Sequence, residues 1–157
     1  MPDNNPLKHQ IECDMLSRPS DTALRKLYFD VLNEISNSRF WLFSVTFPEI
    51  LTPLLFRGAT SDVWNMEVVF LKREYDLPML APRRISDVGA YAGYTSVFSA
   101  NRHQDAQIIA IEPPGANFDM LQANTAPYKN IRCVPAAAWN RRSELHLADI
   151  PYGDWGT

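Results

Sequence analysis

Apolar positions in residues 1–82 recur at the spacing of helices. Residues 24–35 place apolar side chains three and four positions apart, which predicts an amphipathic helix that begins near Ser20. The stripe consists of Leu24, Leu27, Tyr28, Val31, Leu32 and Ile35. A second helix is predicted to begin at Ser61 or Asp62. Its expected inner face consists of Trp64, Val68, Leu71 and Tyr75. We therefore expect a helical N-terminal region.

The most apolar stretch of the chain, residues 40–56, is interrupted by Pro48 and Pro53. Proline breaks a helix because it lacks the backbone N–H and clashes with the preceding turn. The stretch is also too short for a membrane span. We interpret it as a broken helical segment that packs over the domain, with an interfacial or substrate-facing element as the alternative.

Beyond Pro82, short apolar runs alternate with amphipathic segments. Strands are predicted at 85–88, 107–111 and 130–134, with a solvent-facing strand at 144–148. The run at 107–111 is apolar, as expected of a parallel strand buried on both faces. Helices are predicted over 94–102 and from Pro114 onward. The inner face of the latter helix is expected to carry Phe118, Leu121 and Thr125. This alternation predicts an α/β fold in residues 83–157, with a Rossmann-like, doubly wound parallel sheet.

Composition and charge narrow the functional classes. Of the 157 residues, 46% are hydrophobic and 21% are charged, which is typical of a soluble globular protein. The net charge of −3 argues against a nucleic-acid partner, because phosphate neutralisation requires clustered Lys and Arg. Cys13 and Cys133 lack the spacing of a zinc site, so no metal is expected. We predict neither a signal peptide nor a transmembrane segment, and we expect a cytoplasmic protein.

Three features that suit nucleoside binding follow one another in the α/β region. The first strand ends in Asp87-Val-Gly89, where glycine permits a tight turn and a close approach to a ligand. Gly93 then opens the next helix, whose free N–H groups and dipole face the ligand. The second strand ends in Glu112, 112 − 89 = 23 residues after the first glycine. A carboxylate there can accept hydrogen bonds from both ribose hydroxyls, so together these features predict a nucleoside site.

The loop between the glycines discriminates among nucleosides. It reads Gly-x-x-x-Gly from Gly89 to Gly93, with Ala90 and Tyr91 inside it. A dinucleotide site usually carries Gly-x-Gly-x-x-Gly, so that a pyrophosphate can sit on the helix N-terminus. Because the middle glycine is missing and Tyr91 would crowd a pyrophosphate, an NAD-linked oxidoreductase half is the less favoured alternative. The cationic nucleoside S-adenosylmethionine (SAM) fits better beside the acidic Asp87.

Two motifs carry a family resemblance. They are Asp-Val-Gly-Ala-Tyr-Ala-Gly-Tyr, from Asp87, and Ile-Glu-Pro, from Ile111. With flanking segments from about Asp62 onward, they make the chain resemble the FkbM-type methyltransferases of the SAM-dependent superfamily. The resemblance implies SAM as the cofactor. The residues that it implies for binding SAM are Asp87, Gly89, Ala90, Tyr91, Gly93, Glu112, Pro113 and Ala137.

The resemblance also implies which part of SAM each residue contacts. The methionine end and the sulfonium are assigned to Asp87, Gly89 and Gly93. Glu112 is assigned to the ribose hydroxyls, Pro113 to a position beside the adenine, and Ala137 to the adenine edge. The family often has Asn where Tyr91 stands, so the contact at this position differs from the family pattern.

The implied reaction is methylation of an oxygen in a small molecule or glycan, with positioning of the reactants supplying much of the rate. We nominate no general base, because His103 and His146 are expected in structural or solvent-facing roles.

FkbM-like domains continue to a further strand that usually ends in Asp-x-Glu-Gly, and no such motif occurs here. We therefore expect that the chain is truncated at its C-terminus and that it is not active by itself. Its first strand would be an uncovered edge that favours self-association. A non-catalytic nucleoside-binding or protein-interaction remnant is the alternative function.

Overall fold

The computed structural model of the protein describes residues 13–14, 26, 29–34, 42–47, 49–78, 81–141 and 143. The strands are β1 (Cys13–Asp14), β2 (Leu42–Thr46), β3 (Leu54–Arg57), β4 (Arg84–Val88), β5 (Gln107–Glu112) and β6 (Ile131–Pro135). The helices are α1 (Asp62–Met66), continued by a wider helical turn over Glu67–Leu71, α2 (Tyr94–Arg102) and α3 (Ala116–Thr125). Residues 29–34 are also helical.

Strands β4, β5 and β6 form a parallel three-stranded sheet in that order. The three strands predicted here are confirmed to within one residue at each end, and α2 begins and ends where predicted. Helix α3 begins at Ala116 and not at Pro114, because Gly115 adopts a φ of 149°, outside helical geometry. The predicted inner residues of α3, Phe118, Leu121 and Thr125, are all buried. The predicted strand at 144–148 lies outside the described residues.

Both connecting helices, α2 and α3, pack on one face of this sheet. This is expected, because consecutive right-handed crossovers between neighbouring parallel strands lie on the same side. Beneath the helices, Ile108 and Ala110 are buried, whereas Ile109 on the other face is 39% exposed and Val88 is 56% exposed. The prediction that β5 is buried on both faces is therefore wrong for the described part of the chain. The fold is mixed α/β with a parallel three-stranded sheet.

The apolar stretch at 40–56 is a β-hairpin, and its interpretation as a broken helix is wrong. Strand β2 pairs antiparallel with β3, and Phe43 stands opposite Phe56. Pro53 lies in the connection between the two strands, where no ladder hydrogen bond is lost. The short strand β1 pairs parallel with β2 to complete a second three-stranded sheet.

The inner faces of the N-terminal helical segments also differ from prediction. In residues 29–34, Phe29 and Leu32 are buried, whereas the predicted inner residue Val31 is exposed. Helix α1 begins at Asp62, as predicted. The predicted inner residue Val68 is buried, whereas the predicted Trp64 and Tyr75 are exposed. The other buried apolar residues of this segment are Val63, Met66, Val69 and Phe70. After Met66 the helix widens, because the N–H of Lys72 donates to the carbonyl oxygen of Glu67, five residues back. This turn shifts the helical phase, and the helix ends at Leu71, before Tyr75.

One hydrophobic core spans the N-terminal hairpin, α1, α2 and the parallel sheet. Phe47 stacks on Phe70 at a centroid distance of 4.5 Å, and Phe70 meets Phe98 edge-on at 5.9 Å. These contacts pack the hairpin against the turn that follows α1 and, through Phe70, against α2. Within the described part of the chain, no helix is long and apolar enough to cross a membrane.

Candidate functional site

A cleft of about 420 Å³ opens where β4 and β5 end. The residues that line it are Asn65, Val88, Gly89, Tyr91, Ile111, Glu112, Pro113, Asn117, Ala136, Ala137 and Ala138. They come from α1, from the loop after β4, from the end of β5 and start of α3, and from the segment after β6. The carboxyl edge of a parallel sheet is where α/β folds bind ligands, so this cleft is the candidate site.

The loop after β4, which forms one wall of the cleft, contains three residues with positive φ. They are Gly89 at 77°, Tyr91 at 52° and Gly93 at 88°. The N–H groups of Gly89 and Ala90 both donate to the carbonyl oxygen of Ile111, each at 2.9 Å. The N–H of Gly93 donates to the carbonyl oxygen of Ala90 at 2.8 Å and closes the turn. The loop is therefore held tightly against the end of β5.

Gly93 serves helix packing in addition to the turn. A Cβ on Gly93 would lie 2.9 Å from Leu121 Cδ1 and 3.3 Å from Thr125 Cγ2. At Gly89, by contrast, a Cβ would meet nothing within 4 Å, so this glycine is required for its φ alone. The first glycine borders the cleft, whereas the second lets α3 approach the loop.

Glu112 joins the two walls of the cleft. Its side chain is buried, and Oε2 accepts the backbone N–H of Tyr91 at 2.9 Å. Its carbonyl oxygen accepts the N–H of Ala136, at 3.0 Å, from the segment that carries Ala137. Among the described lining residues, Glu112 is the one charged side chain, so the cleft favours cationic or neutral ligands over phosphates.

Asp87 lies behind the loop, at the N-terminus of α2, and does not line the cleft. Its Oδ2 accepts the Ser96 hydroxyl at 2.6 Å, and its carboxylate also accepts the Ser96 backbone N–H. A carboxylate in this position satisfies helix N–H groups and complements the helix dipole. Burial raises the pKa of Asp87 above its ordinary value, and the two hydrogen bonds from Ser96 oppose that effect.

The structure thus separates the predicted site residues into two groups. The predicted residues that line the cleft are Gly89, Tyr91, Glu112, Pro113 and Ala137. Those that do not line it are Asp87, Ala90 and Gly93. Ala90 is buried against Ala110 and Phe118 on the helix-covered side of the sheet.

Two polar lining residues, Asn65 and Asn117, were missed as site residues by sequence reasoning. Asn117 lies in the first turn of α3, five positions after Glu112, and its place just past a strand end is a usable signal. Asn65 belongs to α1, in the N-terminal half of the chain, and lines the cleft beside residues that are far from it in sequence. No local pattern in the sequence indicates such a long-range approach.

Among the described residues that line the cleft, the ionisable side chains are those of Tyr91 and Glu112. Burial raises the pKa of the Tyr91 phenol well above its ordinary value, so Tyr91 stays protonated at neutral pH. His103 lies at the other end of the sheet, where it lines a second cavity with Arg83 and Arg102. Among the described residues, no group of three or more His, Cys, Asp or Glu side chains could hold a metal ion.

No family model, curated protein or solved structure matches this chain.

Proposed function

We propose that this cleft binds SAM and that the chain is a methyltransferase domain of the FkbM type. The observation that carries the proposal is the position of Glu112. Its buried carboxylate lies at the end of β5, inside the cleft, and is oriented by the Tyr91 N–H at 2.9 Å. A carboxylate at this point of a nucleotide-binding α/β unit accepts the hydroxyls of a ribose.

The remaining lining suits an adenosine group. The volume of about 420 Å³ falls within the range of roughly 300–1,000 Å³ that is usual for small-molecule sites. Pro113 and Ala137, on two different segments, offer small apolar surfaces for the faces of an adenine. Gly89 leaves room at the end of β4, where a Cβ would meet nothing within 4 Å. The proposed binding residues are therefore Glu112 for the ribose, Pro113 and Ala137 for the adenine, and Gly89 for the amino-acid end.

The position of Asp87 supports SAM over NAD. A dinucleotide places its pyrophosphate on the N-terminus of the helix after the first strand. In this protein the carboxylate of Asp87 already accepts the Ser96 N–H and hydroxyl at the start of α2. A pyrophosphate would meet a like charge there, whereas a sulfonium or ammonium group would be attracted.

In the proposed reaction, a hydroxyl oxygen of a small molecule or glycan attacks the methyl carbon of SAM while the bond from that carbon to sulfur breaks. S-adenosylhomocysteine is the leaving group, and the hydroxyl proton passes to solvent. The residues of the chain bind and orient the nucleoside, which is how an enzyme lowers the entropic cost of a bimolecular transfer. Tyr91 remains a phenol and can donate a hydrogen bond without removing a proton. The proposed setting is the cytoplasm, and self-association through the exposed edge of β4 is part of the proposal.

Isothermal titration calorimetry tests the cofactor assignment. The intact chain is titrated with SAM, S-adenosylhomocysteine and NADH. We expect both SAM and S-adenosylhomocysteine to bind, and NADH not to bind. In Glu112→Gln, which can still accept the Tyr91 N–H, we expect the Kd to rise roughly ten- to hundredfold, because a hydrogen bond to a charged group contributes ~1.5–3 kcal/mol.

The matched control is Glu74→Gln, because Glu74 is exposed and does not line the cleft. Its Kd should equal that of the unmodified chain. Tight NADH binding would instead support the oxidoreductase alternative. A folded chain that binds none of the three nucleosides would overturn the SAM proposal and favour an interaction module, a role for which the open face at Val88 and Ile109 provides apolar surface.

A further inference from the structure

Arg57, at the end of β3, is held in a fixed orientation by Asp62. The guanidinium donates from Nε to Asp62 Oδ2 at 3.0 Å and from Nη2 to Oδ1 at 2.8 Å. The backbone N–H of Arg57 also donates to Asp62 Oδ2 at 2.7 Å. The Asp62 side chain has 0% exposure and that of Arg57 has 20%, so the carboxylate is shielded from water and the guanidinium is mostly so. Burial alone would lower the pKa of Arg57, but hydrogen bonding and attraction by Asp62 raise it, which keeps Arg57 charged.

The same guanidinium also contacts two walls of the cleft. Nη2 donates to Asn117 Oδ1 at 2.9 Å, and the guanidinium carbon lies 5.4 Å from the centre of the Tyr91 ring. The Tyr91 hydroxyl lies 2.9 Å from Ser61 Oγ, beside Asp62 in the chain. Tyr91 and Asn117 both line the cleft, on different segments, whereas Arg57 does not line it. One side chain from the N-terminal hairpin therefore contacts residues on both sides of the candidate site.

We propose that Arg57 is a positioning residue for nucleoside binding. Arg57 holds the Tyr91 ring in place, and the backbone N–H of the same residue orients the Glu112 carboxylate. Arg57 also holds the side-chain amide of Asn117. Arginine has only donors, so Asn117 must present its oxygen to Arg57 and direct its NH2 group elsewhere. This inference rests on the proposed function, and it makes the hairpin a functional part of the nucleoside site.

The chemistry of the contact makes lysine a sharp probe. A guanidinium is a planar fork that can bind one carboxylate twice and still donate to another acceptor, whereas an ammonium is a point charge. Arg57→Lys therefore keeps the positive charge beside Asp62 but cannot reproduce the paired hydrogen bonds, the Asn117 contact and the cation–π contact with Tyr91 together.

Arg73 provides a matched control within the chain. It makes an ion pair with Asp76 at 3.0 Å, a second with Glu49 at 3.5 Å, and a cation–π contact with Phe98 at 5.5 Å. These contacts resemble those of Arg57 in kind, but none of the three partners lines the cleft. Arg73→Lys thus reports what the loss of such a cluster does to stability alone.

The first measurement is the hydrogen exchange rate and chemical shift of the Tyr91 backbone amide in the ligand-free chain, by 15N NMR. We expect Arg57→Lys to accelerate exchange and shift this resonance, and Arg73→Lys to leave both unchanged. Equal effects of the two variants, or none from Arg57→Lys, would overturn the positioning role. This readout needs no ligand, so it remains decisive even if the SAM proposal fails.

The second measurement is the Kd for S-adenosylhomocysteine, with the melting temperature recorded for each variant. We expect Arg57→Lys to raise the Kd roughly tenfold and Arg73→Lys to leave it within about twofold, at similar losses of melting temperature. Asn117→Ala is made both in the unmodified chain and in Arg57→Lys. It should raise the Kd by a smaller factor in Arg57→Lys, because the two residues act together. Fully additive effects on Kd would contradict the coupling. An unmodified chain that binds no nucleoside would overturn both the proposed function and the role of Arg57 in nucleoside binding. The exchange rate and chemical shift of the Tyr91 amide would still test whether Arg57 positions the loop.

Discussion

Asn124 exchanges two hydrogen bonds with the backbone of Leu55 and so takes the place of a neighbouring strand. Its Oδ1 accepts the N–H of Leu55 at 2.7 Å, and its Nδ2 donates to the carbonyl oxygen of Leu55 at 3.0 Å. The same Nδ2 donates to the carbonyl oxygen of Ala92, in the loop after β4, at 2.9 Å. Strand β3 is an edge strand in the described sheet, and a buried edge must have its backbone groups satisfied. Asn124 therefore links the N-terminal hairpin to the loop that walls the cleft.

Replacing Asn124 by Ala should destabilise the protein by about 2–4 kcal/mol, because several buried backbone groups lose their partner at once. Tyr94 still donates to the Leu55 carbonyl oxygen, at 3.1 Å, which limits the loss. Urea denaturation measures the effect. The control is Asn130→Ala, which removes a single described hydrogen bond, to the Ala106 carbonyl oxygen at 3.0 Å, and should cost about 1 kcal/mol. Equal losses for the two variants would contradict the role given to Asn124.

The α/β half of the fold could be predicted from the sequence because its signals are local. Strand β4, helix α2 and strand β5 each follow an unbroken apolar or amphipathic run, and Gly89 and Gly93 mark the turn between them. The placement of Glu112 at a strand end beside the loop follows from the same order of elements. Five of the eight predicted binding residues line the cleft, since short-range geometry is enough to place them.

The N-terminal half could not be predicted in the same way, because tertiary packing decides its structure. Pro48 and Pro53 favour a broken helix, yet the alternation of Phe43, Val45 and Phe47 is a usable signal for a strand. The phase shift in α1 arises from one wide turn, which periodicity cannot show. Arg57 and Asn124 act through partners 60 and 69 positions away in the chain.

The two loop glycines should respond differently to alanine. Both have positive φ, 77° at Gly89 and 88° at Gly93, which costs an L-residue about 1–2 kcal/mol. At Gly93 the new Cβ would also lie 2.9 Å from Leu121 Cδ1, so α3 must shift. We expect Gly93→Ala to be the more destabilising by roughly 1–3 kcal/mol in urea denaturation. Gly89→Ala should instead weaken nucleoside binding, because Gly89 borders the cleft. A Gly93→Ala variant as stable as Gly89→Ala would show that the loop and α3 do not pack as described.

Adjacent isoleucines in β5 test whether one face of the parallel sheet is open. Ile108 is 1% exposed beneath the helices, whereas Ile109 is 39% exposed on the opposite face. Truncation of a buried isoleucine to alanine costs about 2–5 kcal/mol, so we expect that loss for Ile108→Ala. Ile109→Ala should destabilise the protein by less than about 1.5 kcal/mol, because the Ile109 side chain buries less apolar surface than that of Ile108. Similar losses for both variants would mean that this face of the sheet is covered in solution.

Asp87 should make the stability of the protein depend on pH between its ordinary pKa of 3.8 and its raised pKa in the folded protein. Burial raises the pKa of Asp87 above its ordinary value of 3.8, although the hydrogen bonds from Ser96 lower it. Between 3.8 and the folded-state pKa, the native protein holds a proton that the unfolded chain has released. Stability from this group is therefore greatest at low pH and falls as pH rises through that interval.

Asp87→Asn removes this titration. Urea denaturation at a series of pH values measures the free energy of unfolding of both chains. As pH rises from about 3.8 to the folded-state pKa of Asp87, the unmodified chain should lose stability that Asp87→Asn does not lose. Ser96→Ala provides the complementary test. It removes the Ser96 hydroxyl, which donates to Asp87 at 2.6 Å and lowers its pKa, so the interval should widen and the fall in stability should extend to higher pH. If the free energies of unfolding of the unmodified chain and Asp87→Asn change with pH in parallel, the pKa of Asp87 is not raised. The hydrogen bonds at the N-terminus of α2 would then fully offset the effect of burial on that pKa.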